Sequence, residues 1–249
     1  MAGVTYIVDQ GVVLRETKTK ESDKILTVLT REQGKLTVIA RGARQKHCKF
    51  AAAAQPLAYS EWTFYQRKEW YYASDASTLE LFPGLQGDLA ALALGCYMAE
   101  LTEAVAPDAV PVPELVRHLL NGLYALSALH KPTELVRPAF ELRLLCLAGY
   151  EPLADACAVC GREEPEAPIL DTIQGIIRCG RCGMERGGKP LCRDSLAALR
   201  HIVYGEAKRL YSFQLQAEPL RRLTAASEAF LFAQLEHGFP TLDFYKSIL

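Results

Sequence analysis

Residues 35–41, KLTVIAR, alternate apolar and polar positions: Leu36, Val38 and Ala40 fall on one side, and Lys35, Thr37 and Arg41 on the other together with Ile39. A period of two is the signature of a half-buried strand. Upstream, KILTVLTR (24–31) is rich in β-branched residues and joins it through Glu32-Gln33-Gly34, which predicts a hairpin. A second hairpin is predicted for YSEWTFYQ (59–66) and EWYYASD (69–75), turning at Arg67-Lys68. With a further strand from Tyr6 to Thr17, the first eighty residues hold about five strands and no long helix. Closing such a sheet into a small barrel removes its exposed edges.

The period changes at Leu81-Phe82-Pro83-Gly84. Beyond it, apolar residues recur at three and four: Leu85, Leu89, Leu92 and Cys96, then Leu115, Leu119, Leu123, Leu126 and Leu129, then Phe140, Leu144 and Leu147. That spacing predicts helices. Pro107, Pro111 and Pro113 separate the first two, and Pro132 precedes the third. Pro138 is expected to kink that helix or to mark its first turn. Helices resume at Asp194, an N-cap candidate, and again at Glu218, the last running to Gly238 as its C-cap. The expected fold class is α+β, with a barrel at 1–81 and a helical domain at 82–249.

Between the helices lie Cys157, Cys160, Cys179 and Cys182, in the pattern C-x2-C-x18-C-x2-C. Two residues between cysteines let one turn present both sulfurs to a single point, and Gly161 and Gly183 supply the backbone freedom such a turn needs. Between the pairs, ILDTIQGIIR (169–178) reads as a short hairpin that carries the second knuckle back to the first. The pattern predicts a zinc-ribbon-like module at about 153–193, holding one Zn2+ per chain. Four cysteine ligands leave no open coordination position, so the expected role is structural. A zinc deaminase would need a His-x-Glu element, which is missing, and a redox dithiol would need one C-x-x-C in a strand-helix setting. The run from Gly183 to Lys189 imitates the start of a P-loop, but Pro190 stands where a Ser or Thr should be. Arg178, Arg181, Arg186 and Lys189 read as the solvated face of a small polar module.

Half the residues are hydrophobic and 23% are charged, as in ordinary globular proteins. The start, MAGVTYIVDQ, has no basic segment followed by an apolar one, and runs such as LAALALGC (89–96) are too short to cross a bilayer. Eight cysteines in a chain without a signal peptide predict a cytoplasmic protein. A net charge of −1 conceals an asymmetry: residues 1–70 carry twelve Lys/Arg against seven Asp/Glu, and the remainder sixteen against twenty-two. Within 30–50, Arg31, Lys35, Arg41, Arg44, Lys46 and Lys49 meet only Glu32. A positive rim on a barrel is suited to tracking a phosphate backbone, with Trp62, Tyr65, Trp70, Tyr71 and Tyr72 as candidate stacking surfaces. No Gly-x-Ser-x-Gly, HExxH or paired-carboxylate motif occurs, and the five histidines lie in unrelated contexts. A binding protein is expected, not an enzyme.

Several segments resemble the bacterial recombination mediator family RecO: Gly11-Val-Val-Leu14, Glu21-Ser22-Asp23, Thr30-Arg-Glu-Gln-Gly34-Lys35 and Ala40-Arg-Gly-Ala-Arg44. Tyr97-Met-Ala-Glu100-Leu101, Phe140-Glu-Leu-Arg-Leu-Leu145, Gly149-Tyr-Glu-Pro152 and Cys157-Ala-Val-Cys160 follow in the family's order. At Ala52-Ala53-Ala54-Gln55-Pro56 the chain departs from it, since relatives more often carry Ser and a Leu before a similar Gln-Pro. The resemblance implies an OB-fold barrel and a helical domain bearing an inserted four-cysteine zinc module. It implies binding of single- and double-stranded DNA, annealing of complementary strands, and loading of the RecA recombinase onto DNA coated by single-strand binding protein, with RecR. The protein would be associated with the nucleoid during repair. The DNA-contacting set is expected to be Lys24, Lys35, Arg41, Arg44, Lys46 and Lys49. Arg137 and Arg143, beside Phe140 and Leu144, are the candidates for the acidic C-terminal tail of single-strand binding protein. The alternative is a zinc-stabilised adaptor whose main ligand is an acidic peptide.

Overall fold

The computed structural model describes residues 5–19, 22–183 and 188–249. Glu21, Arg186 and most of the P-loop-like run lie outside them. The chain forms two compact units, one running to Leu129 and taking in Phe239–Leu249, the other His130–Gly238.

In the first unit, β1 (Tyr6–Thr19), β2 (Asp23–Thr30), β3 (Gly34–Ala40), β4 (Tyr59–Arg67) and β5 (Trp70–Glu80) close a barrel in the order β1-β2-β3-β5-β4. This is the five-stranded oligonucleotide-binding arrangement. The long β1 makes closure possible: its first half pairs with β4 and its second half with β2, with a register shift between Val13 and Arg15. The seam is sealed by a parallel pair, Val38 opposite Tyr71 and Ile39 opposite Tyr72. Alternation then decides what faces inward. Leu36, Val38 and Ala40 join Val13, Leu26, Val28, Trp62, Phe64 and Ala73 in the barrel core, as the period of two expects. The Trp62 and Phe64 rings stack at 5.7 Å there, so Trp62 is core and not a stacking surface.

Two polar features pin the barrel's turns. Asp9, buried, accepts the backbone N–H groups of Glu32 and Gln33 at 3.0 Å and so fixes the β2–β3 turn. After β3 the chain makes a series of short turns from Arg41 to Ala58, and Ala43, Phe50, Ala53 and Ala54 insert into the barrel core as a plug.

Three helices complete this unit: α1 (Leu89–Val105), α2 (Pro113–Ser127) and α6 (Pro240–Ser247). In α1 the expected stripe is not the buried one. Leu89 is 60% exposed, whereas Ala91, Leu94, Gly95, Met98 and Leu101 are buried. The helix is apolar almost all round, so periodicity alone does not choose its inward face. Packing against α2 and α6 does. The short α6 carries no strong period and escaped sequence reading; Phe239, at its start, meets the Tyr97 ring edge-on at 5.8 Å.

The second unit contains α3 (Thr133–Leu147), α4 (Arg193–Tyr204) and α5 (Ala217–Leu235), with a small sheet of β6 (Ile169–Asp171), β7 (Ile176–Arg178) and β8 (Gly188–Pro190) in the order β7-β6-β8. The β6–β7 pair is the hairpin expected between the cysteine pairs. Pro138 lies inside α3. Cys192, not Asp194, caps α4, with Ser195 donating its hydroxyl to the Cys192 carbonyl and accepting the Cys192 N–H. Helix α5 stops at Leu235 because Glu236 adopts a left-handed φ of 57°.

Candidate nucleic-acid interface and metal centre

The plug that fills the barrel also holds a cationic loop outside it. Two hydrogen bonds anchor this loop to the start of β2: Gly42 N–H donates to the Asp23 carboxylate Oδ1 at 2.8 Å and Arg44 N–H to the Ser22 carbonyl at 3.0 Å. Ahead of the buried Phe50, the side chains of Arg41, Arg44, Lys46 and His47 are exposed. Arg41 lies 4.8 Å over the Tyr72 ring centroid. Lys49 is exposed as well but pairs with Asp75 at 3.1 Å, and Asp75 is held below the usual carboxylate range first by that hydrogen bond.

The other two lysines of the expected set are drawn inward. Lys24 Nζ sits 2.5 Å from Glu16 and donates to the Ala54 carbonyl at 3.0 Å, tying the plug to the barrel wall. Lys35 Nζ donates to the Glu103 carbonyl at 3.1 Å and lies 3.3 Å from Asp108. Both therefore act within the fold of the first unit, while the side chains of Arg41, Arg44 and Lys46 are exposed and form a cationic rim on a loop anchored to the start of β2.

Arg137 and Arg143 are also engaged internally. Arg137 is 7% exposed and lies 2.8 Å from Glu228 of α5 and 3.8 Å from Glu141, which accepts the Ser227 hydroxyl at 2.6 Å. Arg143 donates to the carbonyls of Ile202, Val203 and Gly205 at the end of α4, where a positive charge meets the negative end of the helix dipole. Arg137→Met is expected to destabilise the second unit by about 3–5 kcal/mol, because it removes the positive charge beside the fully buried Glu141 and beside Glu228. Denaturant unfolding of parent and variant measures this; an unchanged midpoint would show the network to be dispensable.

The four cysteines converge. Their sulfurs all lie within 4.8 Å of one another, and Cys160 and Cys179 are 3.9 Å apart. Four sulfurs at 2.3 Å from one ion sit about 3.8 Å apart in a tetrahedron, so the donors fit a single metal. Each knuckle closes as its spacing expects: Gly161 N–H donates to the Cys157 carbonyl and Gly183 N–H to that of Cys179, at φ of 72° and 62°. Burial would push the Cys157 thiol up, but the N–H groups of Cys160, Val159 and Cys179 draw it down to about 6. Cys182 is pushed up to about 12, first by its hydrogen bond with Cys179 and then by burial. Backbone N–H groups thus favour negative charge on the cluster, which a cation would neutralise.

Around the knuckles the described arginines pair with nearby groups of the second unit. Arg200 of α4 donates to the carbonyls of Ala154 and Asp155 at 2.7 and 2.8 Å, to that of Glu163, and to the Glu164 carboxylate at 2.9 Å, so it brackets the first knuckle. Arg178 pairs with Asp171 at 3.5 Å and Arg181 with Glu166 at 3.9 Å. Lys189 is exposed on β8. No local spacing announces Arg200, which lies 36 to 46 residues from the groups it holds.

With barrel, rim and cysteine cluster in place, the comparisons decide the family. The model for the N-terminal region of recombination protein O matches residues 1–82, and that for its C-terminal region matches 86–243. The chain belongs to the RecO family. A DNA repair protein RecO from Acetivibrio thermocellus is 29% identical, covering 98% of each chain. The RecO of Heliobacterium modesticaldum is 32% identical over 96% of this chain and 89% of its own, and that of Anaeromyxobacter dehalogenans 36% over 89% and 88%. The two RecO models divide where the strands give way to helices, after Glu80. Membership places the chain in DNA repair and recombination. Among the described residues, no helix is long and apolar enough to cross a membrane.

Proposed function

We propose that this RecO-family chain is a recombination mediator that binds single- and double-stranded DNA, anneals complementary strands, and helps load RecA onto DNA coated by single-strand binding protein, together with RecR. The observation that carries the reading is the rim of Arg41, Arg44 and Lys46, exposed and adjacent on a loop whose plug is buried in a closed barrel. Annealing requires a positive surface that offsets repulsion between two phosphate backbones while leaving the bases free to pair. A rim carried on an anchored loop suits that requirement, because the backbone that presents its charges is already placed before the polyanion arrives.

In the same reading the four cysteines hold one zinc ion, a role suited to a module with few buried apolar residues. Filled by four thiolates, the ion has no position for water or substrate, so it would maintain the fold of the ribbon. The peptide-adaptor alternative draws no support from Arg137 and Arg143, whose guanidinium groups are engaged inside the second unit.

The test is annealing of complementary oligonucleotides coated with single-strand binding protein, with and without RecR. The reading expects the chain to accelerate annealing of naked strands and, with RecR, to permit recombinase loading on coated ones. A chain that binds DNA but leaves both rates at background would remove the mediator assignment.

A further inference from the structure

Pairing register places one residue from each strand in a single row across the outside of the barrel. Ile25 lies opposite Ile39, Ile39 opposite Tyr72, Tyr72 opposite Tyr65, and Tyr65 opposite Tyr6. Three tyrosines on three neighbouring strands thus form a continuous aromatic run. Tyr65 and Tyr72 stack with centroids 5.2 Å apart and planes 14° from parallel, and Tyr6, 58% exposed, meets Tyr65 edge-on at 6.0 Å.

Arg41 ends this run, its guanidinium carbon 4.8 Å over Tyr72. The guanidinium thus lies against that ring, and the Arg41 side chain is otherwise exposed to solvent. A guanidinium is planar and weakly hydrated, and it stacks on π-systems as readily as it pairs with anions. Restrained by Tyr72, which is itself stacked on Tyr65, it loses less freedom than an unsupported side chain when a second flat group settles on it.

We propose that the column Tyr65–Tyr72–Arg41 is a base-stacking site for single-stranded DNA, in which an unpaired base lies on the open face of Arg41 while Arg44 and Lys46 take flanking phosphates. The inference rests on the reading of the barrel as DNA-binding and adds a specificity to it. Duplex bases already stack on one another and present only backbone to the rim. Unpaired bases have a free face, so the column favours single strands over duplex. Arg41 is then distinct from Arg44 and Lys46: the shape of its head group matters as well as its charge.

Charge and shape are separated by Arg41→Lys, and the support beneath by Tyr72→Leu. Full-length parent and variants are titrated into labelled oligothymidylate and a duplex of equal length across a salt series. A strand carrying 2-aminopurine reports stacking by quenching. Arg41→Lys and Tyr72→Leu are expected to weaken single-strand binding about five- to tenfold more than duplex binding, to keep the salt slopes of the parent, and to lose the quench. Lys46→Ala is expected to weaken both ligands together and flatten both slopes. Thermal melts check that Tyr72→Leu folds, and Arg41→Lys keeps the test decisive if it does not. Equal losses on both DNA forms, or an undiminished quench in Arg41→Lys, would overturn the stacking site while leaving DNA binding standing. A parent chain that bound neither form would overturn both readings.

Discussion

Replacing Arg41, Arg44 and Lys46 together by alanine is expected to lower affinity for DNA of any sequence by about a hundredfold at 0.1 M salt. Each phosphate neutralised by a cation releases condensed counterions, which gives a factor of about five per ion pair on single strands at that ionic strength. Removing all three cations therefore takes away about two decades, and the slope of log affinity against log salt flattens by about 2. All three side chains are exposed, and the plug residues that position their loop are untouched, so the fold should survive. Lys24→Ala and Lys35→Ala offer the contrast. Their ammonium groups are bound to Glu16 and the Ala54 carbonyl, and to the Glu103 carbonyl and Asp108, so their loss should appear in unfolding more than in the salt slope. A triple variant with an unchanged salt titration would remove the rim from the account of DNA binding.

Stripping the metal, or substituting Cys179→Ser, is expected to unfold the ribbon that carries β6 and β7. The segment has few buried apolar side chains, Leu170 and Ile177 among them, so its order depends on four sulfurs meeting at one point. In small zinc modules the ion supplies on the order of 10 kcal/mol of folding free energy at neutral pH. Cys179 is a buried cysteine whose own N–H donates to the Cys157 sulfur at 3.2 Å, so a change there disturbs both knuckles. Metal analysis should find one zinc per chain in the parent and none in the variant. Hydrogen exchange should show the amides of the β6–β7 hairpin losing protection when the metal is removed. Retained protection and an unchanged melt in metal-free protein would show that the cysteines do not hold the module together.

Much of this architecture was legible along the chain because it rests on neighbours. Alternation in KLTVIAR names the buried face of a strand, since successive side chains point to opposite sides of a sheet. The C-x2-C spacing brings a pair of sulfurs to one point, since the geometry of one tight turn determines where two sulfurs go. The charge rim was half legible. Sequence groups Lys24, Lys35 and Lys49 with Arg41, Arg44 and Lys46, and the structure separates them, because their acceptors lie on other elements, sixty-eight residues away for Lys35 and Glu103. Arg137 and Arg143 looked available beside an apolar helix stripe, yet one neutralises carboxylates on α3 and α5 and the other caps α4. The tyrosine column was visible only in part: Tyr65 and Tyr72 stood among the candidate stackers, while Tyr6 and the placement of Arg41 depend on which strands become neighbours.

By itself, then, the order of residues determined the strands, most of the helices, the cysteine knuckles and the basic character of the N-terminal region, each a property of a few consecutive positions. Tertiary structure alone decided which cations face solvent, which face of α1 is buried and which rings meet. Those outcomes turn on contacts between residues far apart in the chain, where burial and the nearest opposite charge, not local spacing, determine whether a side chain supports the fold or meets a ligand.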